Sequence, residues 1–206
     1  VDEARAGFDV LQEAGRLGAV LLQFPWSFRR TEREQEWLRD LLRAFAGLPL
    51  VVEVRHESWN VAEHFAELEE RGVGFVNVDQ PLFRNSIKPS AHSTAHVGYI
   101  RVHGRNFKDW FRKNAGRDAR YDYLYSAAEL EPWAERARTL AGDPKTREVY
   151  VVTNNHFRGQ AVANGVMLKS MIGGTPVEPP PPLAESFFDV LRPYVRLPEA
   201  GEGASV

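Results

Sequence analysis

The chain has 206 residues, 43% of them hydrophobic and 26% charged, which suits one soluble globular domain with a sizeable core. Its 26 basic and 28 acidic residues nearly cancel to a formal net charge of −2, so no global field draws nucleic acid or a membrane surface, and any polyanion site must be a local patch. The absence of cysteine excludes disulfides, thiolate metal centres and cysteine nucleophiles; no apolar run is long enough to span a bilayer, and a cytoplasmic protein is the default expectation.

Phe8, Val10, Leu11, Ala14 and Leu17 space out as one helix face, closed by Gly15 and Gly18. That pattern is already running at Val1, so further sequence upstream is expected. Residues 19–24 are nearly all apolar and read as a strand covered on both faces. Thr31 starts a helix as N-cap, with Glu34 as its capping-box partner. Trp37, Leu38, Leu41, Leu42 and Phe45 form its expected buried stripe, and Gly47 and Pro49 stop it. Residues 50–55 are the second strand, 61–71 a helix and 73–79 the third strand. Residues 80–95 contain Pro81 and Pro89 and show no element. A loop of that length in a compact domain points to function or mobility. Residues 96–103 form the fourth strand, followed by a second long loop, 104–125, rich in aromatic and basic residues. Residues 127–140 are a helix that tolerates Pro132 in its first turns. Residues 148–154 are the fifth strand and 157–172 its helix. Residues 179–182, all proline, read as a rigid extended spacer, and 187–194 as a last short helix. One partial domain over 1–197 and a flexible tail over 198–206 are expected.

Strands alternating with helices imply a parallel sheet with right-handed crossovers. Side chains alternate across a strand. Glu53 and Arg55 share a parity on the second strand, Asn77 and Asp79 on the third, Arg101 and His103 on the fourth. Each strand keeps an apolar parity opposite. A sheet covered on both faces has little reason for this. A TIM-type (β/α) barrel does, with apolar residues toward the helices and polar ones toward the lumen and its carboxyl-end mouth. Gln23, Glu53, Arg55, Asn77, Asp79, Arg101, His103 and Asn154 are then expected to converge. A buried ion network that only fixes the barrel is the competing explanation, above all for Glu53 with Arg101.

The fifth strand runs into Thr153, Asn154, Asn155 and His156, a polar turn before a small-residue helix. Such turns lie where parallel sheets bind ligands. Arg55, Arg101 and Arg105 offer fork-shaped donors for phosphate, and Gln23, Asp79, Asn154, Asn155 and Gln160 offer further ligand contacts. Glu53, His56, His103 and His156 are the candidates for proton transfer. The first expectation is a pocket for a small anionic, phosphate-containing ligand, with hydrolysis as the reaction class; no nucleophile is evident. The second is metal-dependent hydrolysis or isomerisation, with a divalent metal held among Glu53, His56, Asp79, His103 and His156, although no ligand signature sets their spacing. The third is nucleic-acid binding by loop 104–125, where Arg105, Lys108, Arg112, Lys113, Arg117 and Arg120 interleave with Phe107, Trp110, Phe111, Tyr121, Tyr123 and Tyr125. The same composition also describes a lid packed over the barrel mouth.

Four ordered stretches carry a resemblance: LGAVLLQFPWSF, VVEVRHESW, YIRVHGR and VYVVTNNHFRGQAVANG. Together they resemble the YecE-like family, also called the domain of unknown function 72, over most of the chain. The resemblance implies a (β/α) barrel. Members of that family usually begin with three further βα units, so this chain would hold strands four to eight of an N-terminally incomplete barrel. The family brings no settled activity, so the chemistry rests on the residues.

Overall fold

The computed structural model describes residues 1–110, 112 and 119–196. Among these residues five strands form one sheet: β1 (Val20–Gln23), β2 (Leu50–Glu53), β3 (Gly74–Asp79), β4 (Val97–Val102) and β5 (Glu148–Thr153). They are all parallel and lie side by side in chain order. This order decides the architecture. Every crossover steps in the same direction, so right-handed connections place their helices on one face of the sheet and leave the other free. The connecting helices are α2 (Glu32–Ala44), α3 (Ala62–Glu70) and α4 (Ala127–Gly142); β3 and β4 are joined by irregular chain. α1 (Asp2–Glu13) precedes the sheet. α5 (Gln160–Gly173), α6 (Pro181–Ser186) and α7 (Phe188–Leu191) follow it.

The sheet curls. Arg101 on β4 hydrogen-bonds Gln23 on β1, three strands away. Three strand spacings on a flat sheet are about 14 Å, beyond the combined reach that brings these two side chains together, so the sheet must bend around its free face. The result is an α/β half-barrel of five strands. Among the described residues β1 and β5 remain its edges.

Two apolar clusters fill the space between sheet and helices. One joins β1–β3 to Leu38, Leu42 and Leu68. The other joins Ile100 and Val102 to Leu130, Trp133, Ala137 and Met167. Gly74 permits the close packing of β3, since a Cβ there would lie 2.8 Å from the Val97 carbonyl. Thr31 caps α2, accepting from the Glu34 amide as its sequence promises. Among the described residues no helix is long and apolar enough to cross a membrane.

Several expectations need correction. β3 has the opposite parity. Val78 pairs with Arg101 and Asp79 with Val102, and paired residues point to the same side of a sheet. Asn77 and Asp79 therefore share the helix-side face with Ile100 and Val102. Asn77 is held by Ser90 and the His92 backbone, so loop atoms rather than the lumen satisfy it. Trp37 is 52% exposed and meets Phe24 and Phe28 edge-on instead of lying in the core. The proline run is not a spacer throughout, because Pro181 and Pro182 open α6, where a missing N–H costs nothing. The fifth-strand helix starts late: residues 157–159 form a separate turn in which Arg158 and Gly159 take positive φ, and α5 begins at Gln160. The expected tail lies outside the described residues.

Candidate functional site

Glu53, at the end of β2, is the hub of the concave face. It is fully buried. Oε2 accepts from Arg101 Nη1 at 2.6 Å. Oε1 accepts from Arg55 Nε at 2.9 Å and lies 3.1 Å from His103 Nε2, with Arg55 Nη2 in ion-pair contact at 2.8 Å. Gln23 shares the same Arg101 nitrogen through its Oε1. Burial alone would raise the Glu53 pKa, but the His103 hydrogen bond and the charges of Arg55 and Arg101 outweigh it and hold the carboxyl at about 2. This group is therefore a fixed anion at neutral pH.

His103 is fully buried above it. Its Nδ1 accepts from Asn154 Nδ2 at 3.1 Å, which leaves the proton on Nε2, facing the Glu53 carboxylate at 3.1 Å with Arg55 Nη2 beside it at 3.2 Å. Burial lowers the His103 pKa against the opposing pull of Glu53, with Arg55 and Arg101 adding to the fall. The imidazole is thus neutral, with both nitrogens engaged. Trp110 closes the cluster from loop 104–125. Its ring lies under the Arg55 guanidinium at 5.8 Å and edge-on to His103 at 6.4 Å.

Above Arg55 is a cavity of about 510 Å³ lined by Gln23, Pro25, Trp26, Arg55, Trp110, Arg112, Arg120 and Tyr121. Among the described residues three arginines face it and no carboxylate does. Arg112 is tied to Asp109 at 3.1 Å, whereas Arg120 has no ion pair among the described residues. Arg29 lies over Trp26 at 5.6 Å, and His156 packs on Tyr121 at 4.7 Å. A larger groove lies elsewhere, beside α6 and α7 and distant in sequence from this cluster, where prolines, Val177, Ala184 and Phe188 alternate with Lys169, Glu178, Glu185 and Arg196.

Asp79 belongs to a second network, on the helix side. Arg105 grips it with Nε at 2.9 Å and Nη2 at 3.0 Å. The Tyr125 hydroxyl donates to Asp79 Oδ2 at 2.5 Å and accepts from the Gly104 amide at 2.8 Å. Gly104, with φ of +90°, makes the turn off β4 that aims this amide. Burial and then the adjacent Asp79 charge raise the Tyr125 pKa, so it remains a donor. Tyr123 is pushed up to about 12, by burial first and then by Glu129. This network clamps both ends of loop 104–125, and Asn106 closes its neck through the Ala119 carbonyl at 2.8 Å.

The structure thus brings Gln23, Glu53, Arg55, Arg101, His103 and Asn154 together. It does not bring in the rest of the sequence-derived set. Asp79 and Arg105 pair on the other face. Asn155 is buried and donates to the Tyr123 carbonyl at 2.7 Å and to Asn164 at 2.8 Å. Gln160 donates to Asp122 at 3.0 Å. His56 is turned toward Ser58 and Trp26, with Nδ1 accepting from the Ser58 amide, and burial lowers its pKa. His156 stands outside on Tyr121. Among the described residues no three His, Asp or Glu side chains gather as metal ligands would. Lys113 and Arg117 of the basic loop lie outside the described residues. Sequence reasoning missed Trp26 as a lining residue and Asn164 as a clamp. An asparagine amid the small apolar residues of α5 was the available signal for the second.

A DUF72 family protein from Thermotoga maritima is 35% identical with a TM-score of 0.76, over 84% of this chain and 64% of that one. A DUF72 family protein from Enterococcus faecalis is 26% identical with a TM-score of 0.70, over 81% and 62%. This chain therefore spans just under two thirds of the length of these solved structures. No curated protein matches it. The family model described as "Protein of unknown function DUF72" matches residues 1–185, and the chain belongs to that family.

Proposed function

We propose that the cavity at the carboxyl ends of β1, β2 and β4 binds a small anionic, phosphate-containing ligand. One observation carries this reading: among the described residues, three arginines and no carboxylate line the cavity. Guanidinium groups suit phosphate oxygens because they donate in pairs from a plane. Arg55 would meet the ligand from a fixed position, since Glu53 holds its Nε and Nη2 from below. Arg120, free of ion pairs among the described residues, would bring mobile charge. Glu53 serves as the anchor of this array. Hydrolysis of the bound ester would draw on His103, whose neutral ring sits beside Arg55 at 3.2 Å, or on the exposed His156.

We also read the half-barrel as strands four to eight of a (β/α) barrel. The one-sided crossovers and the curl support this. A second reading, nucleic-acid binding, is favoured by the fact that Trp110, Arg112, Arg120 and Tyr121 all come from one basic, aromatic loop.

Calorimetric titration with glycerol phosphate at fixed ionic strength tests the anion site. Saturable binding is expected, weakened about tenfold or more by Arg120→Gln with Arg112→Gln. Equal heats from chloride, or affinity unchanged in that variant, would remove the proposal.

A further inference from the structure

We infer that the ligand of this cavity is a small phosphomonoester, whose terminal phosphate carries two negative charges, rather than a diester, whose phosphate carries one. The inference rests on the anion reading above and adds the charge of the ligand. Beneath the cavity, Arg55 and Arg101 share one carboxylate. Glu53 Oε1 accepts from Arg55 Nε at 2.9 Å and its Oε2 accepts from Arg101 Nη1 at 2.6 Å. Gln23, the other partner of Arg101 Nη1, is neutral, and so is His103, whose pKa burial lowers. Two guanidinium groups against one carboxylate leave a buried positive charge without a counter-charge, a costly state unless an anion answers it. Donors are in excess as well. Arg101 is buried, and its Nε has no hydrogen-bond partner among the described residues.

The rim is unbalanced in the same direction. Asp109 at 3.1 Å offsets Arg112, whereas Arg120 has no ion pair among the described residues. Floor and rim together set four guanidinium groups against two carboxylates, so two positive charges remain. Off the lining, Arg29 and Glu57 act on His56 with opposite signs, and Asp122 is bonded to Gln160. A terminal phosphate matches the surplus. Its second pKa is about 6, so it is chiefly a dianion above neutral pH, and its oxygens then only accept hydrogen bonds. The cavity offers it donors: besides the arginines, Gln23 presents its amide N–H groups, because its Oε1 is taken by Arg101. A volume of about 510 Å³ suits a small molecule. The backbone of a nucleic-acid strand presents diesters, each of which would leave one of the two charges unanswered.

Calorimetric titration of the full chain at pH 8 and fixed ionic strength tests the charge of the ligand. The probes are glycerol phosphate, a dianion; glycerol sulfate, a monoanion with the same three terminal oxygens; and the methyl ester of glycerol phosphate, a monoanionic diester. Glycerol phosphate should bind at least about fivefold more tightly than either monoanion, the equivalent of the roughly 1 kcal/mol that one further unit charge gains at about 4 Å even in water. Arg120→Gln, which removes one of the two unmatched charges, should bring the phosphate and sulfate affinities closer together. Arg120→Lys, which keeps the charge and loses the fork, should keep them apart. Equal affinity for glycerol phosphate and glycerol sulfate overturns the inference and leaves the anion reading standing, as does a ratio that Arg120→Gln leaves unchanged. A diester that binds as tightly as the monoester also overturns it and favours a strand as the occupant. No binding by any probe overturns both readings.

Discussion

At Glu53 a single carboxylate decides the charge of its surroundings. With Arg55, Arg101 and His103 as neighbours it stays ionised down to a pKa of about 2. Glu53→Gln leaves two guanidinium groups facing a neutral amide in a largely dry site. That change should destabilise the fold by about 3–5 kcal/mol, the usual effect of removing one partner from a buried ion pair. Urea unfolding at pH 7 measures it; a loss under about 1 kcal/mol would show that the cluster is more hydrated than its burial implies. His64 makes a different prediction. It is buried among Trp59, Phe65 and Phe75, and its Nε2 has no hydrogen-bond partner. Burial lowers its pKa from 6.5 to about 4. Between those values the unfolded chain binds a proton that the folded chain refuses. Stability should therefore fall as pH drops from about 6.5 toward 4, by up to about 3 kcal/mol from this group. His103, His56 and His92 shift in the same direction and add to the slope. Glu53 contributes in a lower window, below about pH 4.5, where its stabilisation is lost as pH falls toward 2. His64→Leu should flatten the upper window; an unchanged slope between pH 6.5 and 4 would assign it elsewhere.

Among the elements, β4 and the loop that leaves it carry most of the site. β4 sends Arg101 and His103 to the concave face, and the loop returns Trp110, Arg112, Arg120 and Tyr121 over it. Two clamps hold the loop. Tyr125 bonds Asp79 and the Gly104 amide, and Asn164 on α5 grips the Tyr125 backbone, accepting from its N–H and donating to its carbonyl, each at 3.0 Å. Asn164→Leu strands both backbone groups and the Asn155 amide, which should cost at least about 1–3 kcal/mol, measurable as a lower urea midpoint. Tyr125→Phe should be milder in volume yet still leave the Gly104 amide without its acceptor. If Asn164→Leu costs no more than Tyr125→Phe, the clamp is not the chief tie. Legibility in the sequence follows the same division. Gln23, Glu53, Arg55, Arg101, His103 and Asn154 were readable because period-two alternation puts them on one parity of their own strands. Asp79 misled, because parity within a strand does not say which face is the lumen. Only register with β4 does, and register is a property of the pair. The loop's clamps were unreadable for another reason: Tyr125, Asn164 and Asp79 are separated by tens of residues, and nothing local marks their meeting.

For the whole molecule, the sheet order and the site have one cause. Crossovers that all step in one direction put every connecting helix on one face and leave the other to curl around charged side chains. That curl lets Arg101 reach from β4 to Glu53 and Gln23. It also leaves Leu21, Tyr99, Tyr150 and Val152 partly exposed on the concave side. The alternation of strands and helices was legible from composition and period alone, and so was the one-sided sheet. The cavity was not, since it needs the β1 and β4 loops to meet across β2. Its affinity for anions is the central claim, and a crystal soaked in tungstate tests it most directly by locating the anion through anomalous scattering. The account expects one strong peak among Arg55, Arg112 and Arg120. Tungstate bound only elsewhere, with those three arginines bare, would contradict it.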